Sequence, residues 1–147
     1  MDISKFDQRQ KCIFALKIGE RASLYFKEEN VIDLIKEALE IACGWIQSGN
    51  NVGEILYNYL DNEENGFTIF QETEEDEIII NAWNCIIDAI AYVSRAAYER
   101  EGEKFMPEPI EMVDDNVLEH MKHSLILCDS KEKLFIEDLY QRCLQTI

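Results

Sequence analysis

Two histidines, His120 and His123, stand three residues apart beside Glu119. On a helix that spacing puts both imidazoles on one face, where they could share a metal ion. A stable site needs further ligands, and the chain nominates none clearly. H-E-x-x-H and the paired Glu-x-x-His of di-iron bundles are both absent. The expected role is a surface pair, with no metal and no cofactor. A second constellation is the polar stripe Glu77, Asn81, Asn84, Asp88, Arg95 and Glu99, which recurs at helical spacing. These groups could line a small-molecule pocket or a catalytic cleft. They could equally form a solvated seam with Arg95 and Glu99 as an i,i+4 pair, and the seam is the expectation. Five cysteines, Cys12, Cys43, Cys85, Cys128 and Cys143, lie in apolar helical patterns without a C-x-x-C pair. They read as buried reduced thiols of a cytosolic, hence cytoplasmic, protein rather than as disulfides or zinc ligands. No nucleophile motif, glycine-rich phosphate loop or basic-aromatic nucleic-acid motif is present. An enzyme is therefore not expected, and none of these residues is taken as catalytic.

What stands out instead is charge. Residues 61–77, DNEENGFTIFQETEEDE, hold eight acids among 17 residues and no base. They sit inside a longer interval, 37–94, with 12 acids and no lysine or arginine, so this interval carries 12 of the net 16 negative charges. A protein that is acidic only for solubility intersperses its signs more evenly. Nucleic acid and anionic membrane surfaces are poor partners for such a field, because affinity for both comes from Lys and Arg. Two explanations stay open for 61–77. One is a solvated loop leading into a helix whose dipole favours acids in its first turn. The other is a face for a basic protein, with Asp61, Glu63, Glu64, Glu72, Glu74, Glu75 and Asp76 as contacts and Phe67 and Phe70 as the apolar centre. At least one of those phenylalanines is expected to pin the segment to the core.

These residues need elements to position them. The chain has 147 residues, 47% of them hydrophobic, with only 2 Pro and 6 Gly. That composition fits one domain, 1–147, built from long helices around a normal core. The N-terminus, MDISKFDQRQ, is too polar for a signal peptide. No apolar run approaches the ~20 residues that span a bilayer. The pattern predicts an all-α bundle of about six helices around a long central one at 74–100, with main breaks at 49–51, 61–73 and 102–113. The first helix covers 4 to about 27, opened by a Ser4-x-x-Asp7 capping box, with Phe6, Ile13, Leu16 and Leu24 inward and Gly19 as a point of bending. The second follows Asn30 and ends at Gly49. A short third opens near Asn51. Within 61–73 the island Phe67-Thr68-Ile69-Phe70 is read as loop or as a short extended segment. Thr73 is read as the cap of the central helix, with Glu74 to Glu77 in its first turn. Two more helices follow caps at Asp114 or Asp115 and at Ser130; the last turns Leu134, Phe135, Leu139, Cys143 and Leu144 inward.

Ala82-Trp83, Ala89, Ala91-Tyr92, Ala97-Tyr98 and then Pro107-Glu108-Pro109-Ile110-Glu111 resemble a helical family of bacterial immunity proteins. These are encoded beside polymorphic toxins, including contact-dependent growth inhibition (CdiI-type) systems. The likeness covers mainly residues 80–115 and rests on packing residues and a Pro-Glu-Pro turn. It implies an all-α cytoplasmic protein that binds the C-terminal domain of one cognate toxin and neutralises it without catalysis. Such toxins are often nucleases, and nuclease domains are often basic, which agrees with the acidic interval. A helical adaptor or inhibitor of another basic protein, and an enzyme or small-molecule binder using the polar stripe, are the alternatives.

Overall fold

The most apolar stretch of the chain forms its longest helix, α5, Glu77–Glu101. At 1.5 Å per residue it is about 38 Å long. Thirteen of its residues are buried, from Ala82 to Tyr98, and they face almost every direction around its axis. Such a helix has to be covered on several sides. In the computed structural model, which describes residues 1–145, the cover comes from α1 (Gln8–Ser23), α2 (Glu29–Ser48), α3 (Gly53–Leu60), α4 (Phe67–Glu72), α6 (Glu108–Glu111) and α7 (Asn116–Cys128). The last helix, α8 (Glu132–Leu144), packs outside them on α1 and α7. Six of the eight α-helices span two turns or more, and α4 and α6 are short. The fold is all-α, with the central helix where the periodicity placed it.

By length and composition, α5 is also the one described helix that could cross a membrane. The run of apolar residues is thus longer than the sequence reading allowed. Its physical destination is the bundle: 56% of its most apolar window is buried against the other helices.

Several helix ends differ from the periodic reading, each for a local reason. The first helix begins at Gln8. Asp7, and not Ser4, supplies the capping box: its carboxylate accepts from Gln10 N at 2.8 Å and the Gln10 side chain accepts from Asp7 N at 2.8 Å. Ser4 lies in a separate 3-10 turn, Ile3–Lys5, where its hydroxyl and N–H both donate to Asp2. Leu24 terminates α1 and is 73% exposed, so it does not join the apolar face. Glu28 stands at the N-cap of α2, not Asn30, while Gly49 closes that helix in the left-handed conformation as expected, at φ 71°. α1 runs unbroken through Gly19. A Cβ there would lie 3.2 Å from that of Ala89, so this glycine lets α1 close on α5. On α8, Leu134 faces solvent and Ile136 takes the inward position.

Polar links fix how the helices sit around α5. The Tyr92 hydroxyl donates to Asp115 at 2.8 Å, and Lys11 reaches the other oxygen of the same carboxylate at 2.7 Å. One side chain thereby ties α5, α1 and the start of α7. Ser94 donates to the carbonyl of Gly53 at 2.8 Å, holding α3 on α5. Glu132 is buried under Arg21, which bonds both its oxygens, and Tyr25, which joins α8 to the end of α1.

Two outcomes follow. A Cβ at Gly53 would stand 2.9 Å from the ring of buried Tyr98, whereas at Gly44, exposed in the middle of α2, it would meet nothing within 4 Å. Gly53→Ala should lose about 1–3 kcal/mol, and Gly44→Ala should gain about 0.5–1 kcal/mol; urea denaturation reads both. Burial works to raise the Asp115 carboxyl, but the bonds from Lys11 and Tyr92 prevail and hold it below its ordinary value of 3.8. The stability it contributes is therefore present above that value and is lost as pH falls through the lower, folded-state value. Asp115→Asn should be less stable than the parent at neutral pH, and the two acid-unfolding curves should converge below about pH 3.8.

Candidate protein-binding face

Residues 61–77 form a turn, the helix α4 and a second turn, rather than a loop or extended segment. The first turn is organised by Asn62. Its side-chain oxygen accepts from Glu64 N at 2.9 Å and Asn65 N at 3.3 Å, and its carbonyl accepts from Gly66 N at 2.9 Å. A Cβ on Gly66 would fall 2.6 Å from the Asn62 backbone, so only glycine lets the turn fold back this tightly. The Thr68 hydroxyl then returns to the carbonyl of Leu60 at 2.9 Å, locking α4 to the end of α3.

Aromatic packing fixes the segment against α5. Phe67 is wholly buried, with its ring 5.2 Å from Trp83 and 6.0 Å from Tyr59. Phe70 is half-buried and stacks on Trp83 at 5.8 Å with an interplanar angle of 3°. Gln71 completes the attachment, donating to the Ile80 carbonyl at 3.1 Å and to Asn84 at 2.7 Å. Phe67 is therefore the expected pin, placed beneath the face instead of in its surface. Phe70 alone of the pair keeps an accessible edge.

Pinning these rings leaves the acids outside. Asp61, Glu63, Glu64, Glu72, Glu75 and Asp76 are exposed and Glu74 is half-buried. None of the seven forms an ion pair among the described residues. Their few bonds are local. Tyr57 donates to Asp61 at 2.8 Å, Glu74 accepts from Asp76 N at 3.1 Å, and Asp76 accepts from Ile78 N at 2.9 Å. That last bond makes Asp76 the N-cap of α5, a role the sequence assigned to Thr73. Only Glu77 of the four consecutive acids stands in the helix's first turn. The helix dipole thus accounts for Asp76 and Glu77, and the other acids have no such local compensation.

Beside this segment lies a cleft of about 380 Å³ between the start of α2 and the α4–α5 turn. Phe26, Val31, Phe70, Ile79 and Trp83 supply its apolar surface, and Glu28, Glu74 and Asp76 face it with a single cation, Lys27. Large apolar side chains also remain exposed at this end of the bundle: Leu24 closing α1, Ile78 opening α5 and Leu127 in the last turn of α7. The Cys128 thiol meets the carbonyl of Ile78 at 3.5 Å, which brings the end of α7 to the start of α5. The cleft and these side chains were missed from sequence. One signal was available, since three consecutive isoleucines, 78–80, cannot all face one side of a helix.

The other candidate residues are absorbed by packing. Asn84 accepts from Gln71 and donates to Ser124 at 3.3 Å, while Asp88 contacts Nδ1 of His120 at 2.5 Å. Burial raises the Asp88 carboxyl, and the bond to His120 opposes that rise. Arg95 pairs with Glu99 at 2.6 Å and donates to the carbonyls of Ile110 and Glu111. The middle of the stripe, Asn84, Asp88 and Arg95, is therefore a filled seam where α5 meets α4, α6 and α7, while Glu77 and Glu99 at its ends stay exposed. His123 is exposed, and among the described residues no three His, Cys, Asp or Glu stand close enough to share a metal ion. The cysteines are free thiols, four buried and Cys43 half-buried. Burial pushes Cys12 up to about 12 and Cys128 up to about 11, so little thiolate exists at neutral pH for nucleophilic work.

An all-α bundle that displays unpaired acids on a braced segment, with the middle of its polar stripe spent on packing, has the makings of a protein-binding module. Residues 10–128 match the family of Immunity protein Imm6, and the chain belongs to that family. No match is found among curated proteins or solved structures. The family's work is immunity to a cognate toxin, which makes a toxin the partner.

The attachment of the face can be tested directly. Phe67→Ala should cost about 3–5 kcal/mol, as for a large buried ring. Thr68→Ala, which removes one bond to Leu60, should cost about 0.5–1.5 kcal/mol. Chemical denaturation monitored by circular dichroism gives both values.

Proposed function

We propose that this chain neutralises a basic toxin domain, a nuclease, by seating its acidic segment over the lysines and arginines with which the toxin holds nucleic acid. The observation that carries the reading is the display of seven unpaired acids on a segment braced by Phe67, Phe70 and Gln71. Nucleases grip phosphate through Lys and Arg, and a rigid array of carboxylates competes for those same groups. The contact would comprise Asp61, Glu63, Glu64, Glu72, Glu74, Glu75 and Asp76, with Phe70 as an apolar anchor and Phe67 acting from beneath. The neighbouring cleft would receive one basic side chain, its stem against Phe70 and Ile79 and its charge among Glu28, Glu74 and Asp76. No catalysis is required of the chain. The same reading sets it in the cytoplasm of a bacterium that carries a polymorphic, contact-dependent growth inhibition toxin, bound to that toxin's C-terminal domain.

Charge and anchor should separate kinetically. Reversing Glu63, Glu72 and Glu75 to Lys should slow association with the purified toxin domain by about 10- to 100-fold at low salt, with the difference shrinking as salt rises. Phe70→Ala should leave association nearly unchanged and speed dissociation by about tenfold or more. Unchanged association of the triple variant at low salt would sink the acidic-face reading. Surface plasmon resonance against the cognate toxin domain is the measurement.

A further inference from the structure

The far end of α5 carries a site of opposite character. Between the first turn of α1, the last turns of α2 and the last turns of α5 lies a cleft of about 670 Å³. That is within the size range of small-molecule sites. Arg9, Cys12, Trp45, Ile46, Ala96 and Arg100 face it. Ala96 is 20 residues along α5 from the Asp76 cap, about 30 Å at the helical rise, so this cleft is separate from the acidic face.

Two observations give it a ligand chemistry. First, Arg9 and Arg100 enter no ion pair among the described residues, while Glu99, the acid at this cleft, is held by Arg95 at 2.6 Å. The cleft thus brings together two guanidiniums that no carboxylate engages. Second, Trp45 is only 5% exposed, and its indole nitrogen is the buried side-chain polar atom without a hydrogen-bond partner among the described residues. Buried donors are nearly always satisfied, and an orphan marks a place where an acceptor is missing.

Arg100 links these features. Its guanidinium lies over the Trp45 ring, 5.6 Å from the centroid, and packs on Gly49, where a Cβ would stand 3.4 Å from its central carbon. Because the Arg100 side chain is exposed, it can rotate outward and admit an acceptor to the indole. The cleft lining holds two guanidiniums and an indole N–H beside Gln8, and its one carboxylate, Glu99, is engaged by Arg95, a set that favours an anion. Guanidinium forks match a carboxylate. Cys12, Ile46 and Ala96 offer apolar wall for the rest of the molecule. Cys12 stays neutral there, since burial pushes its thiol up to about 12.

We propose that this cleft binds a carboxylate carried on a short apolar body, with Arg9 and Arg100 holding the charge and the Trp45 N–H donating to one oxygen. Such a group comes either from a small amphipathic acid or from the C-terminus of a peptide. The test uses the full chain labelled with 15N and follows the two tryptophan indole resonances, assigned by Trp45→Phe. Sodium octanoate is the first probe. A saturable movement of the Trp45 resonance in the millimolar range or below, with Trp83 still, is expected. Arg9→Ala and Arg100→Ala, both at exposed positions, should each weaken it about tenfold. N-acetyl-leucine presents the same carboxylate as a chain terminus. Tighter binding of that probe assigns the site to peptide ends, tighter octanoate assigns it to small acids, and either supports the proposal. An unmoved Trp45 resonance with both probes overturns it. So does 1-octanol moving the resonance as strongly as octanoate, which would mean an apolar hollow without use for the arginines. Inorganic phosphate acting as strongly as octanoate overturns it too, since nothing would then depend on the apolar walls.

Discussion

Everything in this fold answers to one requirement, that α5 be covered along nearly its whole circumference. A helix with 13 buried residues has no solvent side to speak of over its middle. Close covering is possible because several of those residues are alanine, at 82, 89, 91, 96 and 97, and because Gly19 and Gly53 bring α1 and α3 within contact of Ala89 and Tyr98. The few polar groups that face α5's neighbours are then obliged to find partners inside the seams, as Asn84, Asp88, Tyr92, Ser94 and Arg95 do. A buried polar group left unmatched costs more than an ordinary hydrogen bond returns. This is why the stripe that invited a catalytic reading is structural.

The same requirement produces the acidic face proposed to bind the toxin. Trp83 lies at the start of the covered region, and its broad ring needs apolar neighbours on more than one side. Phe26 meets it edge-on at 4.7 Å, Phe67 packs at 5.2 Å and Phe70 stacks at 5.8 Å. Drawing Phe67 and Phe70 inward forces a helical turn on the residues between them. Glu72, on that helix, points the other way, and the remaining acids stand in the turns on either side of it. The display of charge is thus a by-product of core packing.

The two ends of α5 have different charged neighbours. At its start the chain gathers acids with no basic neighbour beyond Lys27 at the cleft. At its finish Arg9 and Arg100 flank a tryptophan whose N–H lacks a partner. The composition reports only the net charge, which the acidic end dominates. About 30 Å apart, the two ends lie several Debye lengths from each other at physiological salt, so neither feels the other's charge strongly.

Much was legible from residue order because helices obey a short-range rule. The period of 3.6 identified α2 and α5 and their buried faces, Gly49 marked a helix end, and the gap in basic residues from 37 to 94 located the charge. Element ends were less legible: Asp7 and Asp76 outcompeted Ser4 and Thr73 as caps, a choice decided by which carboxylate reaches a free N–H. What only the tertiary structure decided was the state of side chains whose partners are far along the chain. Phe67 became core because Trp83 lies beneath it, Asp88 became a seam residue because His120 faces it, and both clefts arise where separate helices fail to meet fully. Local periodicity says which face of a helix is apolar. Contact between residues tens of positions apart says what that face touches, and no periodicity encodes that.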